Sequence, residues 1–319
     1  MSNPLISIVI PALNEEANVE RVYERLRQIL SHENFEVIFV DDGSTDGTST
    51  KISDLARKFP NIRGISFSRN FGHQAALKAG FDHALGECVI TLDCDLEHPP
   101  EYISKMIQLW RGGTEVVISV RQESSQLSSF KRVTSKFFYR LNNTLSEVPI
   151  KSGSADFRLL DKKVVEVCKA ITENELFWRG LIPWLGFKTQ FIPYDQGMRV
   201  SGATKYSLSK MLKLSLAGIT SFSVRPLFLS FYIGIFFLGS SSFYLIYRLF
   251  KDPQSEKTIS GIGSVIAAVV WVSGVQMMML GILGIYLGKL WVQSRNRPQY
   301  LIGRTLHPKD RENQLKKVG

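Results

Sequence analysis

The stretch "FEVIFVDDGSTDGTSTKISDLARK", residues 35–58, holds a strand, a turn and a helix in succession. "FEVIFV" is short and nearly all apolar, as a strand covered on both faces must be. Asp41, Asp42, Gly43 and Ser44 then make a tight turn, where Asp serves by side-chain bonding and Gly by permissive φ. A helix over Thr48–Lys58 follows. The same alternation runs outward in both directions. Upstream, "LISIVI" leads into a helix with Val19, Val22, Tyr23, Leu26 and Leu30 on one face. Downstream come "IRGISF", a helix over 74–85, and "CVITL". Alternating β and α predicts a parallel, doubly wound α/β sheet. Ligands of such sheets bind beyond the carboxyl ends of the strands. "PALNEE", "DDGSTDGT" and "DCDLEHPP" therefore belong on one edge.

The 319 residues carry a formal net charge of +10, which admits nucleic acid, anionic lipid or a phosphorylated substrate as partner. Cys88, Cys94 and Cys168 are scattered and offer neither a metal spacing nor a disulfide framework, which fits a reducing compartment. "MSNPLISIVIPALNEE" lacks a basic n-region and reads as a buried strand, not a signal peptide. Composition changes near residue 224. Residues 226–247 and 262–288 have no charged side chain, and each exceeds the ~20 apolar residues that span a bilayer. Two such runs joined by a short polar loop predict a transmembrane hairpin. The basic tail beyond Gly288 places the C-terminus, and with it the N-terminal domain, on the cytoplasmic side of the inner membrane. The domain reading is 1–205 catalytic, 206–223 juxtamembrane helix, 224–291 two spanning helices and 292–319 cytoplasmic tail. Stretches 128–145 and 206–220 are basic and amphipathic, and are expected to lie in the headgroup plane.

The acids on the sheet edge carry the chemistry. Asp93, Asp95 and Glu97 alternate directly after a strand. Alternation puts like charges on one side of an extended chain, so a positive group belongs among them. Hard oxygen ligands suit Mg²⁺ or Mn²⁺, which bind through one or two carboxylates plus substrate phosphates. His98, beside Pro99 and Pro100, reads as part of a rigid turn. A carboxylate of the "DDGST" turn can accept from a base N–H or a ribose hydroxyl, and Glu15 is available to a ribose.

"IVIPALNEEANV", "VDDGSTDGT", "TLDCDLEHPP", "SADFRLLD" and "MRVSGATKYSLSK" stand in the order seen in family 2 glycosyltransferases. The chain most resembles their polyprenyl-phosphate branch, which includes dolichol-phosphate mannose synthases and bactoprenol glucosyltransferases. The resemblance covers residues 5–215 by motif, and the two-helix tail matches the bactoprenol type. It implies a GT-A catalytic domain with a doubly wound, mostly parallel sheet, a nucleotide-sugar donor, Mg²⁺ or Mn²⁺, and a lipid-phosphate acceptor. Carried over by motif, Pro11, Leu13, Glu15, Val40 and Asp42 contact the nucleotide, and Asp93 and Asp95 hold the metal with the donor phosphates. Cys94 lies beside the donor. Glu97 stands where mannose synthases often carry Gln, and is a candidate third ligand. Arg199 and Lys205 match the donor-phosphate residues, although Ala203 and Thr204 replace the more usual Glu-Ser. Arg121, Arg132, Lys136 and Ser201 are the candidates for the acceptor phosphate. Asp156 is the family's candidate base, and an orienting role has equal weight. Glu175, Trp178 and Arg179 either line the sugar site or, for Trp178, pack the core.

The implied reaction transfers one sugar to undecaprenyl phosphate with inversion. UDP-glucose is favoured as donor; GDP-mannose, UDP-galactose, UDP-N-acetylhexosamine and UDP-4-formamido-arabinose stay open. A non-catalytic, membrane-anchored nucleotide-binding module is the rival class. It predicts basic and aromatic residues interleaved on a sheet and gives no reason for the alternating acids, so nucleic acid is not expected. A processive synthase would need more spanning helices. Gly284 and Gly288 form a GxxxG that suits helix packing within the hairpin or between subunits, and a homo-oligomer is expected. A flippase and a downstream glycosyltransferase are the partners expected for the product.

Overall fold

The computed structural model describes residues 4–121, 153–194, 227–228, 231–237, 239–240, 243 and 262–306. The elements run β1 (Ile6–Ala12), α1 (Val19–Ile29), β2 (Phe35–Asp41), α2 (Thr48–Lys58), β3 (Ile62–Phe67), α3 (His73–His83), β4 (Cys88–Thr91) and α4 (Tyr102–Arg111). They continue as β5 (Val116–Arg121), β6 (Ser154–Asp161), α5 (Lys162–Ala170), α6 (Trp178–Trp184), β7 (Thr189–Tyr194), α7 (Ile262–Ser294) and β8 (Ile302–Leu306). Eight strands form one sheet in the order β7-β5-β6-β4-β1-β2-β3-β8.

The parallel half matches the expectation from the apolar runs. Strand β1 lies between β2 and β4, parallel to both, with Ala12 opposite Asp41 and Val9 opposite Thr91. All seven residues of β1 are buried, because helices cover both faces. Helix α1 turns Val19, Val22, Tyr23 and Leu26 inward. Helix α3 approaches β1 so closely that a Cβ at Gly80 would come within 2.1 Å of Val9 Cγ1. The other half is mixed: β6 runs antiparallel to both β4 and β5, while β7 is parallel to β5. This reversal puts the first residues of β6 beside the last of β4, so Asp156 arrives at the same edge as Asp93.

The tail contains a strand that the sequence reading did not name. Residues 302–306 pair antiparallel with β3, with Gly64 opposite Leu306 and Ser66 opposite Arg304. Leu306 is buried. Five residues with Gly303 among them carry little periodic pattern, and their partner lies far upstream, so nothing local marks them as a strand.

Of the described residues, those up to 194 and those from 297 form one unit, and those between 227 and 296 form another. In the second unit, α7 contains a 24-residue stretch, Trp271–Ser294, long and apolar enough to cross a membrane. Trp271, Met277, Leu280, Leu287 and Leu290 on it are exposed. The described residues within 226–247 are helical, and Phe237 meets the Trp271 ring edge-on at 4.4 Å. The amphipathic stretches 128–145 and 206–220, together with Arg132, Lys136, Arg199, Ser201 and Lys205, lie outside the described residues.

Candidate active site

The parallel register gathers three loops on one edge. After β1, Asn14 takes a left-handed φ of 55° and ties its loop to the next one. Its N–H donates to Ser44 Oγ at 2.9 Å, and its side-chain oxygen accepts from Thr45 N–H at 2.9 Å. Glu15 N–H donates to Thr48 Oγ1 at 2.8 Å. Pro11 and Val40 are opposed in register and buried, whereas Leu13 is exposed.

In the "DDGST" turn both carboxylates organise backbone. Asp41 accepts from Ser44 N–H and from the Ser66 hydroxyl. Asp42, almost wholly buried, accepts from Phe71 N–H at 2.7 Å and Gly72 N–H at 2.9 Å. Burial pushes the Asp42 carboxyl up against the pull of those two donors. Gly43, at φ 72°, would place a Cβ 2.5 Å from the backbone of Arg69. Asp42 thus fixes the loop before α3, a duty that the sequence reading did not give it.

The loop after β4 carries the acids. Leu96 has φ 57°, an uncommon conformation for a branched residue, and such strain gathers at functional sites. Glu97 N–H donates to Asp95 Oδ1 at 3.0 Å. Cys94 alternates inward, is buried among core side chains, and has its thiol pushed up by burial. Asp93 faces His98, whose Nε2 is 3.2 Å from Oδ2, while Tyr194 Oη is 2.7 Å from the other ring nitrogen. His98 therefore belongs to the site through Asp93 as well as to the turn. Burial opposes ionisation of Asp93, but His98 and His73 outweigh it and hold the carboxyl below its usual range.

Asp95 and Glu15 go the other way. Burial raises Asp95, and Asp93 and Glu97 add to it. Burial also raises Glu15, with Asp95, Asp46 and Asp93 adding. Around Asp95 and Glu15 this edge is short of positive charge. Among the described residues no group of three or more His, Cys, Asp or Glu is gathered as an ion cage, and Glu97 is half-buried two residues beyond Asp95. Two hard carboxylates two residues apart, Asp95 exposed and Asp93 half-buried, fit a divalent ion that completes its shell with substrate oxygens.

Strand β6 supplies the opposite wall. Asp156 and Arg158, two apart, share one face of β6, and both are buried. Arg158 Nη2 donates to Asp156 Oδ1 at 2.7 Å, and Arg179 of α6 donates to Oδ2 through Nε at 3.0 Å and Nη2 at 2.8 Å. Burial alone would raise Asp156; the two arginines, helped by His73, override it and bring the carboxyl down to about 2. Trp178 is fully buried and donates its indole N–H to Gln74 O, so it packs the core. Arg121, at the end of β5, is exposed.

Sequence reasoning passed over Arg158 and His73. Arg158 was visible as a charge two residues from Asp156 inside an apolar strand. His73 follows a glycine at a helix start, which by itself says little.

A sheet edge that gathers acids from three parallel loops, faced by an arginine-clamped carboxylate from an antiparallel strand, has the form of a GT-A glycosyltransferase. The chain belongs to glycosyltransferase family 2, whose family model, described as "Glycosyl transferase family 2", matches residues 7–168. It is 40% identical over 298 residues to the uncharacterized glycosyltransferase YkcC of Bacillus subtilis (strain 168), covering 93% of this chain and 92% of that protein. It is 37% identical over 299 residues to the bactoprenol glucosyl transferase of Shigella phage SfV, covering 93% and 97%. The crystal structure of mannosyl-3-phosphoglycerate synthase from Rubrobacter xylanophilus matches with a TM-score of 0.48 and 15% identity, over 67% of this chain and 71% of that one. The protein is an enzyme, a glycosyltransferase.

Proposed function

We propose that the enzyme transfers one glucose from UDP-glucose to a polyprenyl phosphate, with inversion, at the cytoplasmic face of a membrane. The observation that carries this reading is the pairing of two features in one chain. A sheet edge of acids short of positive charge suits a cation with a diphosphate, and an exposed apolar helix of spanning length suits a lipid acceptor. The name of the phage relative, a bactoprenol glucosyl transferase, supports the acceptor and the sugar.

In this reading the loops after β1 and β2 receive the nucleoside, with Glu15 toward the ribose and Asp42 bracing the turn beneath it. Asp93 and Asp95 hold Mg²⁺ or Mn²⁺, which neutralises charge on the leaving diphosphate when bound. Glu97 is proposed as a third ligand, and its N–H orients Asp95. Arg199 and Lys205 are proposed for the donor phosphates, and Arg121, Arg132, Lys136 and Ser201 for the acceptor phosphate. A phosphate monoester has its second pKa near ~6 and is mostly dianionic at neutral pH, so the acceptor needs little help from a base. Asp156, clamped by two arginines and held at about 2, is a poor proton acceptor. Its role is to orient: it keeps Arg179 in place beside the transferred sugar. Two spanning helices anchor the chain, and the basic stretches 128–145 and 206–220 bring the site to the headgroups.

The test offers purified full-length protein a panel of radiolabelled nucleotide sugars with undecaprenyl phosphate and Mn²⁺. Label should enter the lipid from UDP-glucose ahead of the others. Asp95→Asn should abolish transfer, and added Mn²⁺ should not restore it. A folded, metal-replete protein that labels no lipid from any donor would end this reading.

A further inference from the structure

We propose that His73 is a positioning residue that ties the metal–diphosphate half of the site to its transfer half; the assignment of those halves rests on the function proposed above. The backbone leading to His73 is fixed by the "DDGST" turn, since Asp42 accepts from both Phe71 and Gly72 N–H. Gly72 itself turns at φ 98°. From the first position of α3, His73 Nε2 stands 3.6 Å from Asp93 Oδ1 and 3.7 Å from Asp156 Oδ2. Among the described residues it alone lies within 4 Å of both carboxylates in ion-pair geometry.

Other groups share these carboxylates: Asp93 Oδ2 faces His98, Asp156 Oδ1 faces Arg158, and Asp156 Oδ2 also accepts from Arg179. The two carboxylates, each within 4 Å of the same ring nitrogen, are like charges and repel one another. A donor between them offsets that repulsion and sets their spacing, which cannot exceed the sum of the two distances. Both contacts are slightly longer than a direct hydrogen bond, so a small rotation or one bridging water closes either. The ring is 39% exposed, hence open to the space where sugar and diphosphate meet. The role asks only for an N–H on Nε2, which the neutral tautomer supplies. Spacing between a phosphate-binding group and a sugar-orienting group controls rate steeply, because a misplacement of about 1 Å costs on the order of 100-fold.

The experiment uses the full-length protein and three variants. Glutamine carries its amide nitrogen near the reach of Nε2, and asparagine near that of Nδ1. His73→Ala and His73→Asn are each expected to lower kcat at least about tenfold, and His73→Gln to stay within about threefold of wild type. A Mn²⁺ titration in the presence of UDP, followed by the paramagnetic resonance of free Mn²⁺, should shift to weaker binding in Ala and Asn but not in Gln. In an Asp156→Asn background, His73→Ala should cost less than about threefold more, since coupled residues are not additive. Wild-type kcat and Mn²⁺ binding in His73→Ala would overturn the proposal, as would Asn performing as well as Gln, or multiplicative losses in the double variant. If the Ala variant fails to melt cooperatively, the Asn and Gln pair decides. If the wild type labels no lipid, the acceptor reading fails, and the Mn²⁺–UDP titration still decides the part played by His73.

Discussion

Asp156 is buried between two guanidinium groups, and its ionisation is tied to the fold. Its carboxyl is brought from an ordinary 3.8 down to about 2. A depressed folded-state value means a contribution to stability that is present above about pH 4 and is lost as pH falls toward 2. Asp156→Asn removes the charge and leaves Arg158 buried without its counter-ion. Breaking a buried pair in this way costs about 3–5 kcal/mol. Thermal melts should show the full gap between wild type and variant at pH 7, and the gap should shrink as pH approaches 2. A constant gap would mean that the arginines do not hold the charge. The same depression removes Asp156 from the pH profile of transfer: no limb between pH 5 and 8 should belong to it. Arg158 already carries a cost, because its buried Nε has no hydrogen-bond partner among the described residues.

At the scale of elements, two contacts set the site. Strand β6 runs against β4, which brings Asp156 across from the acids, and Thr91 Oγ1 secures the join by donating to Asp156 O. Helix α3 lies on β1 at a spacing that only Gly80 allows, and this seats His73 at the site edge. In Gly80→Ala the new methyl group would overlap Val9, a fully buried β-branched residue. Overpacking of this kind costs about 1–3 kcal/mol. Denaturant melts should report that loss, and Val9→Ala in the same chain should recover part of it. If Gly80→Ala melts like wild type, the helix is free to move away and the spacing is not a constraint.

For the whole molecule, the chain leaves the catalytic unit, forms α7 and returns as β8. The return is well held. Tyr300 stacks on Phe67 with centroids 5.2 Å apart and donates to Asp82 Oδ2 at 2.8 Å, and Gln299 Nε2 donates to Glu173 O at 2.5 Å. Strand β8 also covers the β3 edge, which would otherwise offer unpaired backbone groups to another chain. Ending the protein after residue 296 should therefore lower its melting midpoint and promote aggregation. Leu306→Ala alone should reproduce part of the loss, about 2–5 kcal/mol. Unchanged melting in both would show that β8 is dispensable. The parallel half of the sheet, the three acidic loops on its edge and an apolar segment long enough to span a membrane were legible from the chain, because hydrophobic period and turn chemistry are local. Asp93 and Asp95 could be placed on that edge for the same reason, since they directly follow a strand, whereas Asp156 was named only through the motif resemblance. Tertiary structure alone decided that β6 runs antiparallel, that Arg158 and Arg179 clamp Asp156, that His73 stands between two carboxylates, and that the tail closes the sheet. Each of these is a meeting of residues distant in sequence or of charge with burial, and no local pattern encodes which partner a buried charge will find.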